Sequence, residues 1–118
     1  MSQEESRLIS MVFREALDMA CYPVAIAVKL GFDARGKDMG SMLLNDPKEF
    51  YALLRELLGG DDVVAESCLD MTLRIIITHY RIDADPKELL RSIKNGEADK
   101  VRKFLEELVK RVQEEGLL

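Results

Sequence analysis

The stretch Asp61–Ile82, DDVVAESCLDMTLRIIITHYRI, decides how this chain reads. At 100° per residue, Val64, Cys68, Met71, Ile75 and Ile82 fall on one apolar stripe. Val63, Leu69, Leu73, Ile76 and Tyr80 widen it until only Glu66, Ser67, Asp70 and Arg74 remain as a narrow polar strip. A helix apolar over most of its circumference has to be wrapped by others. The expectation is an all-α irregular or orthogonal bundle of five to six helices, with 61–82 as its central helix.

The flanking punctuation agrees. In NDPKEFYALLRELLGG, Asp46 is an N-cap, Pro47 takes the first helical position and Glu49 closes a capping box. Phe50, Leu53, Leu54 and Leu57 make the buried side, and Gly59-Gly60 stops the helix in a left-handed conformation. Asp61 and Asp62 then cap the central helix and complement its N-terminal dipole. The same start signal recurs at Asp85-Pro86-Lys87-Glu88, with Leu89, Leu90 and Ile93 behind it and Asn95-Gly96 as the stop. The residues that follow the two DPKE runs diverge, so this is capping chemistry used twice, not a repeat architecture. A last helix over about Glu97–Glu115 carries the stripe Val101, Phe104, Leu105, Leu108 and Val112. Pairs such as Glu107/Arg111 and Lys103/Glu107 lace its outer face at four-residue spacing.

The N-terminal third is less decided. Ser2 and Glu5 have capping-box spacing, and Ile9, Val12, Phe13, Ala16, Leu17 and Ala20 share one side of a helix. Pro23 interrupts it, because proline removes a helical hydrogen bond and clashes with the preceding turn. Either one kinked helix runs to about Leu30 or two helices abut, and continuity of the stripe through Val24 and Ala27 favours the kink. Residues 31–45, with three of the seven glycines, read as a long irregular segment. An α+β alternative pairs Val24–Leu30 with Leu73–Ile82 as two strands, since short branched apolar runs fit either state.

A length of 118 residues fits one domain, 1–118, that buries about two-thirds of its unfolded surface. A net charge of −5 argues against nucleic acid, which requires a basic face. Two cysteines, Cys21 and Cys68, lie far apart with no CxxC, which suggests neither a disulfide framework nor a zinc site, and a reducing cytoplasmic interior. No signal peptide is visible. The apolar run 11–30 is interrupted by Arg14, Glu15, Asp18 and Lys29, so no membrane span is expected. Two Asn and two Gln among many charges fit a heat-adapted source.

Chemistry-bearing patterns are sparse. Gly31-Phe-Asp-Ala-Arg-Gly36-Lys37-Asp38 is one residue short of a phosphate-cradling loop. It places Asp38 where a magnesium-binding Ser or Thr belongs, so a polar turn segment is the better reading. His79 points the same way as Cys68 and Thr72, which suggests a ligand pocket between the central helix and the 31–45 loop. The plainer alternative is a core or boundary histidine. A Cys68–His79 dyad is excluded, because eleven helical residues separate the two by roughly 16 Å. Glu66, Asp70 and Arg74 read as a solvated strip with an ion pair. Arg35 and Lys37 beside Asp33 and Asp38 would repel a cation, so neither a metal nor a cofactor is expected, and no catalytic set converges. Met39 and Met42, or Leu117 and Leu118 after the last helix, are candidates for an apolar partner contact. The alternative for the two methionines is a loop tucked onto the core.

Tyr22–Leu30, Asp46-Pro47 with Phe50, Leu53, Leu54 and Leu57, then Gly59-Gly60 and a long helix through Tyr80-Arg81-Ile82, together resemble the archaeal Nitrosopumilus output domain family. In that family a Pro-x-x-Phe-x-x-x-Leu-x-x-x-Leu/Phe-Gly pattern likewise precedes a long amphipathic helix. The likeness covers about 11–83, and Gly60 departs from the acidic residue expected after the glycine. The resemblance implies a small all-helical signalling or output module that binds a partner, and it brings no catalytic residues. The expected function is a non-enzymatic interaction or signalling domain that self-associates as a homodimer. A small-molecule-binding domain is the alternative.

Overall fold

Four aspartates set the starts of four helices. Asp38, Asp46, Asp61 and Asp85 accept from the backbone N–H of Ser41 (2.9 Å), Glu49 (3.3 Å), Val63 (2.9 Å) and Lys87 (2.9 Å). Each satisfies a donor that the first helical turn leaves without an intrahelical partner. The computed structural model describes residues 3–116. They form seven helices: α1 (Gln3–Cys21), α2 (Val24–Ala34), α3 (Met39–Asn45), α4 (Pro47–Leu57), α5 (Asp62–Tyr80), α6 (Pro86–Asn95) and α7 (Ala98–Gly116). No strand occurs among the described residues, so the α+β alternative is set aside. Ser2, half of the first capping box, lies outside them.

The count exceeds five to six because the region 22–45 folds differently from expectation. The chain does not continue as one kinked helix. It breaks at the cis Tyr22–Pro23 peptide, and α2 starts afresh with the Pro23 carbonyl accepting from Ile26 N–H at 3.1 Å. Nor is 31–45 irregular. Only Arg35–Asp38 connects α2 to α3. Phe32, Met39, Leu43 and Leu44 are all buried, and helices at this point let them reach the core without leaving backbone groups unpaired. Two of the glycines in this segment are places of close approach. A Cβ on Gly31 would strike the Leu57 side chain, and one on Gly40 would land on the Ser6 carbonyl oxygen of α1.

One core cluster draws buried side chains from all seven helices. Helix α1 packs against α2, α3, α5 and α7, and α5 packs against α1, α4, α6 and α7. Cys21 meets Cys68 while Val12 and Ala16 share a groove with Ile76 and Tyr80, so α1 and α5 run antiparallel. The stripe inferred for α5 is rotated from its expected position. Its buried side is Ala65, Cys68, Leu69, Thr72, Leu73 and Ile76, whereas Val63, Val64 and Met71 are 71%, 45% and 50% exposed. Its apolar residues cover so much of the circumference that periodicity alone does not say which arc faces α1. Asp70 and Arg74 do pair, at 2.8 Å, but Glu66 reaches Lys94 of α6.

Because the Ser6 carbonyl fills the space beside Gly40, Gly40→Ala is expected to lower stability by about 1–3 kcal/mol through overpacking. Urea unfolding checks this. An unchanged midpoint would mean that α1 and α3 are not in backbone contact.

Candidate functional site

Three places bring polar or apolar groups together in ways that need a reason. The first is at the start of α1. Ser6 and Ser10, one turn apart on its buried side, donate to the two carboxylate oxygens of Asp38 at 2.7 and 2.6 Å. Ser10 Oγ also accepts from the Gly40 N–H at 2.7 Å. Partial burial pushes the Asp38 carboxyl up, but hydrogen bonds from Ser10, Ser6 and Ser41 outweigh it and hold the group below the usual carboxylate range. Every oxygen is engaged within the fold, so this is a clamp between α1 and α3. The near-phosphate-loop pattern is thereby explained: Gly31 is inside α2, and Asp38 is the cap of α3.

The second place is the end of α1. Cys21 and Cys68 form a disulfide, with Cα atoms 6.1 Å apart, well within the span such a bond accepts. This overturns the expectation of two unrelated thiols. A separation of 47 residues carries no information about distance in space, and the antiparallel pairing of α1 with α5 closes the gap.

The third place is the outer face of α2. Helix α2, VAIAVKLGFDA, is apolar on nearly every side but turns only Ala25, Val28 and Phe32 inward. Tyr22 (70%), Leu30 (62%), Val24 and Ile26 are exposed, as is Ala27. The one cation on this helix, Lys29, is paired with Asp18 of α1 at 2.7 Å. The N-terminal end of α2 is joined through Cys21 to Cys68, and Gly31 lies beside Leu57 at the end of α4. Helix α2 packs against α1 and α4, and Val63 and Val64 in the first turn of α5 are exposed as well.

The proposed pocket residues do not converge. Thr72 is fully buried, with its hydroxyl donating to the Cys68 carbonyl at 2.8 Å, and the Cys68 sulfur is in the disulfide. His79 is exposed at the other end of α5, with Nε2 3.5 Å from Glu115 and its ring edge-on to Tyr80. It borders a groove of about 480 Å³ between α1 and α5, floored by Val12, Ala16 and Ile76, which neither Cys68 nor Thr72 lines. Helix α3 packs on α1, α4 and α7. Met39 is 1% exposed and serves the core, and Met42 is half-buried against it. Leu117 and Leu118 lie outside the described residues.

Between α4, α5 and α6 a set of polar groups is mutually occupied. Tyr51 donates to Asp62, and Lys94 bridges Asp62 and Glu66 while lying 5.3 Å from the Tyr51 ring centre. Burial, then the bond to Asp62, drives the Tyr51 hydroxyl far above the ordinary phenol range, so it stays protonated and tethers α4 to α5. Among the described residues, no group of three His, Cys, Asp or Glu side chains is placed to hold a metal ion. No helix there is long and apolar enough to cross a membrane. Compared with protein-family models, curated proteins and solved structures, the chain matches none of them.

Asp38→Ala is expected to destabilise the fold by about 1–2 kcal/mol, since it removes a cap and strands two serines. The lowered Asp38 pKa adds stability above the ordinary carboxylate value near 4, lost as pH falls through the folded value. Thermal melts from pH 7 to 3 should fall less steeply for Asp38→Asn than for the parent. His79→Ala, at an exposed site, should move stability by less than about 0.5 kcal/mol.

Proposed function

We propose that this chain is a small non-enzymatic interaction domain, of the signalling or output kind, that pairs with a second copy of itself through the outer face of α2. The observation that carries this reading is the exposed run Tyr22, Val24, Ile26, Ala27 and Leu30, on a chain where a third of the residues are charged. Contiguous apolar surface of this kind marks a contact site more often than a free surface.

The proposed partner is a second copy, and the uncharged face of α2 is where two copies can meet despite their like charge. Two bodies of net charge −5 repel, and the surface where they approach at least cost is an uncharged one. Lys29 and Asp18 neutralise each other at its edge. A two-fold arrangement sets α2 against α2 and buries the same patch on both copies. A stable interface needs about 800 Å² per partner. An eleven-residue helix and the preceding Tyr22 supply part of that area.

The resemblance to the Nitrosopumilus output domain family points the same way, towards partner binding. A cytoplasmic location in a heat-adapted organism is part of this reading. Intracellular proteins of such organisms are the exception that carries disulfides, which reconciles Cys21–Cys68 with the sparse Asn and Gln. The α1–α5 groove supports a second reading, an apolar small molecule seated over Val12, Ala16 and Ile76.

Native mass spectrometry over a dilution series separates the two. The expected result is a bare dimer for the parent and a monomer for Leu30→Glu, with unchanged circular dichroism. A bare monomer at all concentrations would refute self-association, and a monomer carrying extra mass would favour the groove.

A further inference from the structure

We infer that the Cys21–Cys68 disulfide is a thiol-exchange site, opened from the folded state by attack of a small-molecule thiol on the Cys21 sulfur. The two ends of the bond differ in access. Cys68 is 6% exposed on the buried side of α5, whereas Cys21 is half-buried at the last position of α1 and precedes the exposed Tyr22. Exchange proceeds at the sulfur that a thiolate can reach, so access selects Cys21.

The step balances without any group beyond the thiol. A thiolate forms a bond to Cys21 Sγ, the Cys21–Cys68 bond breaks, and the electron pair leaves on Cys68 Sγ, which takes a proton from solvent. A second thiolate attacks the added sulfur of the mixed disulfide and releases Cys21 as a thiolate. The protein disulfide is reduced to two thiols, and two small thiols are oxidised to one disulfide.

The reduced form also has a place to rest. Cys21 Sγ lies 3.8 Å from the Cys68 carbonyl oxygen, which then serves as acceptor for its S–H. That carbonyl already accepts from Thr72, and a carbonyl oxygen has two lone pairs. Opening the bond therefore leaves neither the thiol nor the carbonyl stranded, and α1 keeps its apolar contacts with α5. Because Tyr22 also belongs to the proposed self-association face, the inference applies to the monomer.

The test treats the full chain with glutathione at several concentrations under native conditions, quenches with iodoacetamide and maps the peptides. The expected result is a reduction rate proportional to glutathione, with the first adduct on Cys21 exceeding that on Cys68 by at least about tenfold. Low urea should leave the rate unchanged. A rate independent of glutathione, a rate that climbs steeply with low urea, or adducts split evenly would show that reduction requires unfolding, and would overturn the inference. So would purified protein whose two thiols stay open when treated with glutathione disulfide.

Discussion

Near its start, α1 comes so close to α3 that Gly40 rests against the Ser6 carbonyl and its N–H donates to Ser10 at 2.7 Å. Near its end, Cys21 is bonded to Cys68 of α5. Between these two fastenings, Ile9, Val12, Phe13, Ala16 and Leu17 are buried in the core. The polar clamp sets which residues of α3 meet α1, because Asp38 caps α3 while holding both serines of α1. The covalent clasp sets where α1 must stop against α5. The rest of the bundle is laid on that frame, with α4, α6 and α7 closing the core around it.

The frame has a consequence for α2. Pro23 forces a new helix just past the clasp, and the contacts with α1 and α4 take up only the side that carries Ala25, Val28 and Phe32. An eleven-residue helix with apolar residues on nearly every side then has to leave some of them in solvent. Moving α2 inward is not open to it, since Gly31 already lies against Leu57. The exposed surface follows from where α1 is fastened and from a sequence that keeps apolar residues where charged ones would serve solubility better.

Much of the secondary structure was legible because its signals are local. Asp46-Pro47, Asp61 and Asp85-Pro86 act within one turn of backbone, and the structure uses all three as caps. The stops at Gly59-Gly60 and Gly96 adopt positive φ, as local geometry requires. What the sequence hid depends on tertiary contact. Gly31 and Gly40 have the same composition signal as turn glycines, yet their role is close approach between helices. The arc of α5 that faces the core is set by α1, so Val64 and Met71 came out exposed while Ala65 and Leu73 were buried. Cys21 and Cys68 gave no sign of pairing, since spacing along the chain does not encode a helix–helix register. Of the candidate site, the outer face of α2 lay within a run correctly read as apolar. Its exposure was not legible, because a helix that is apolar all round reads as buried.

We propose that the outer face of α2 is the contact surface between copies of this chain. The most direct measurement is a backbone amide NMR dilution series on uniformly labelled protein. The expected result is concentration-dependent shifts confined to the segment Tyr22–Leu30. Shifts absent over the whole range, or concentrated instead on α6 and α7, would contradict it.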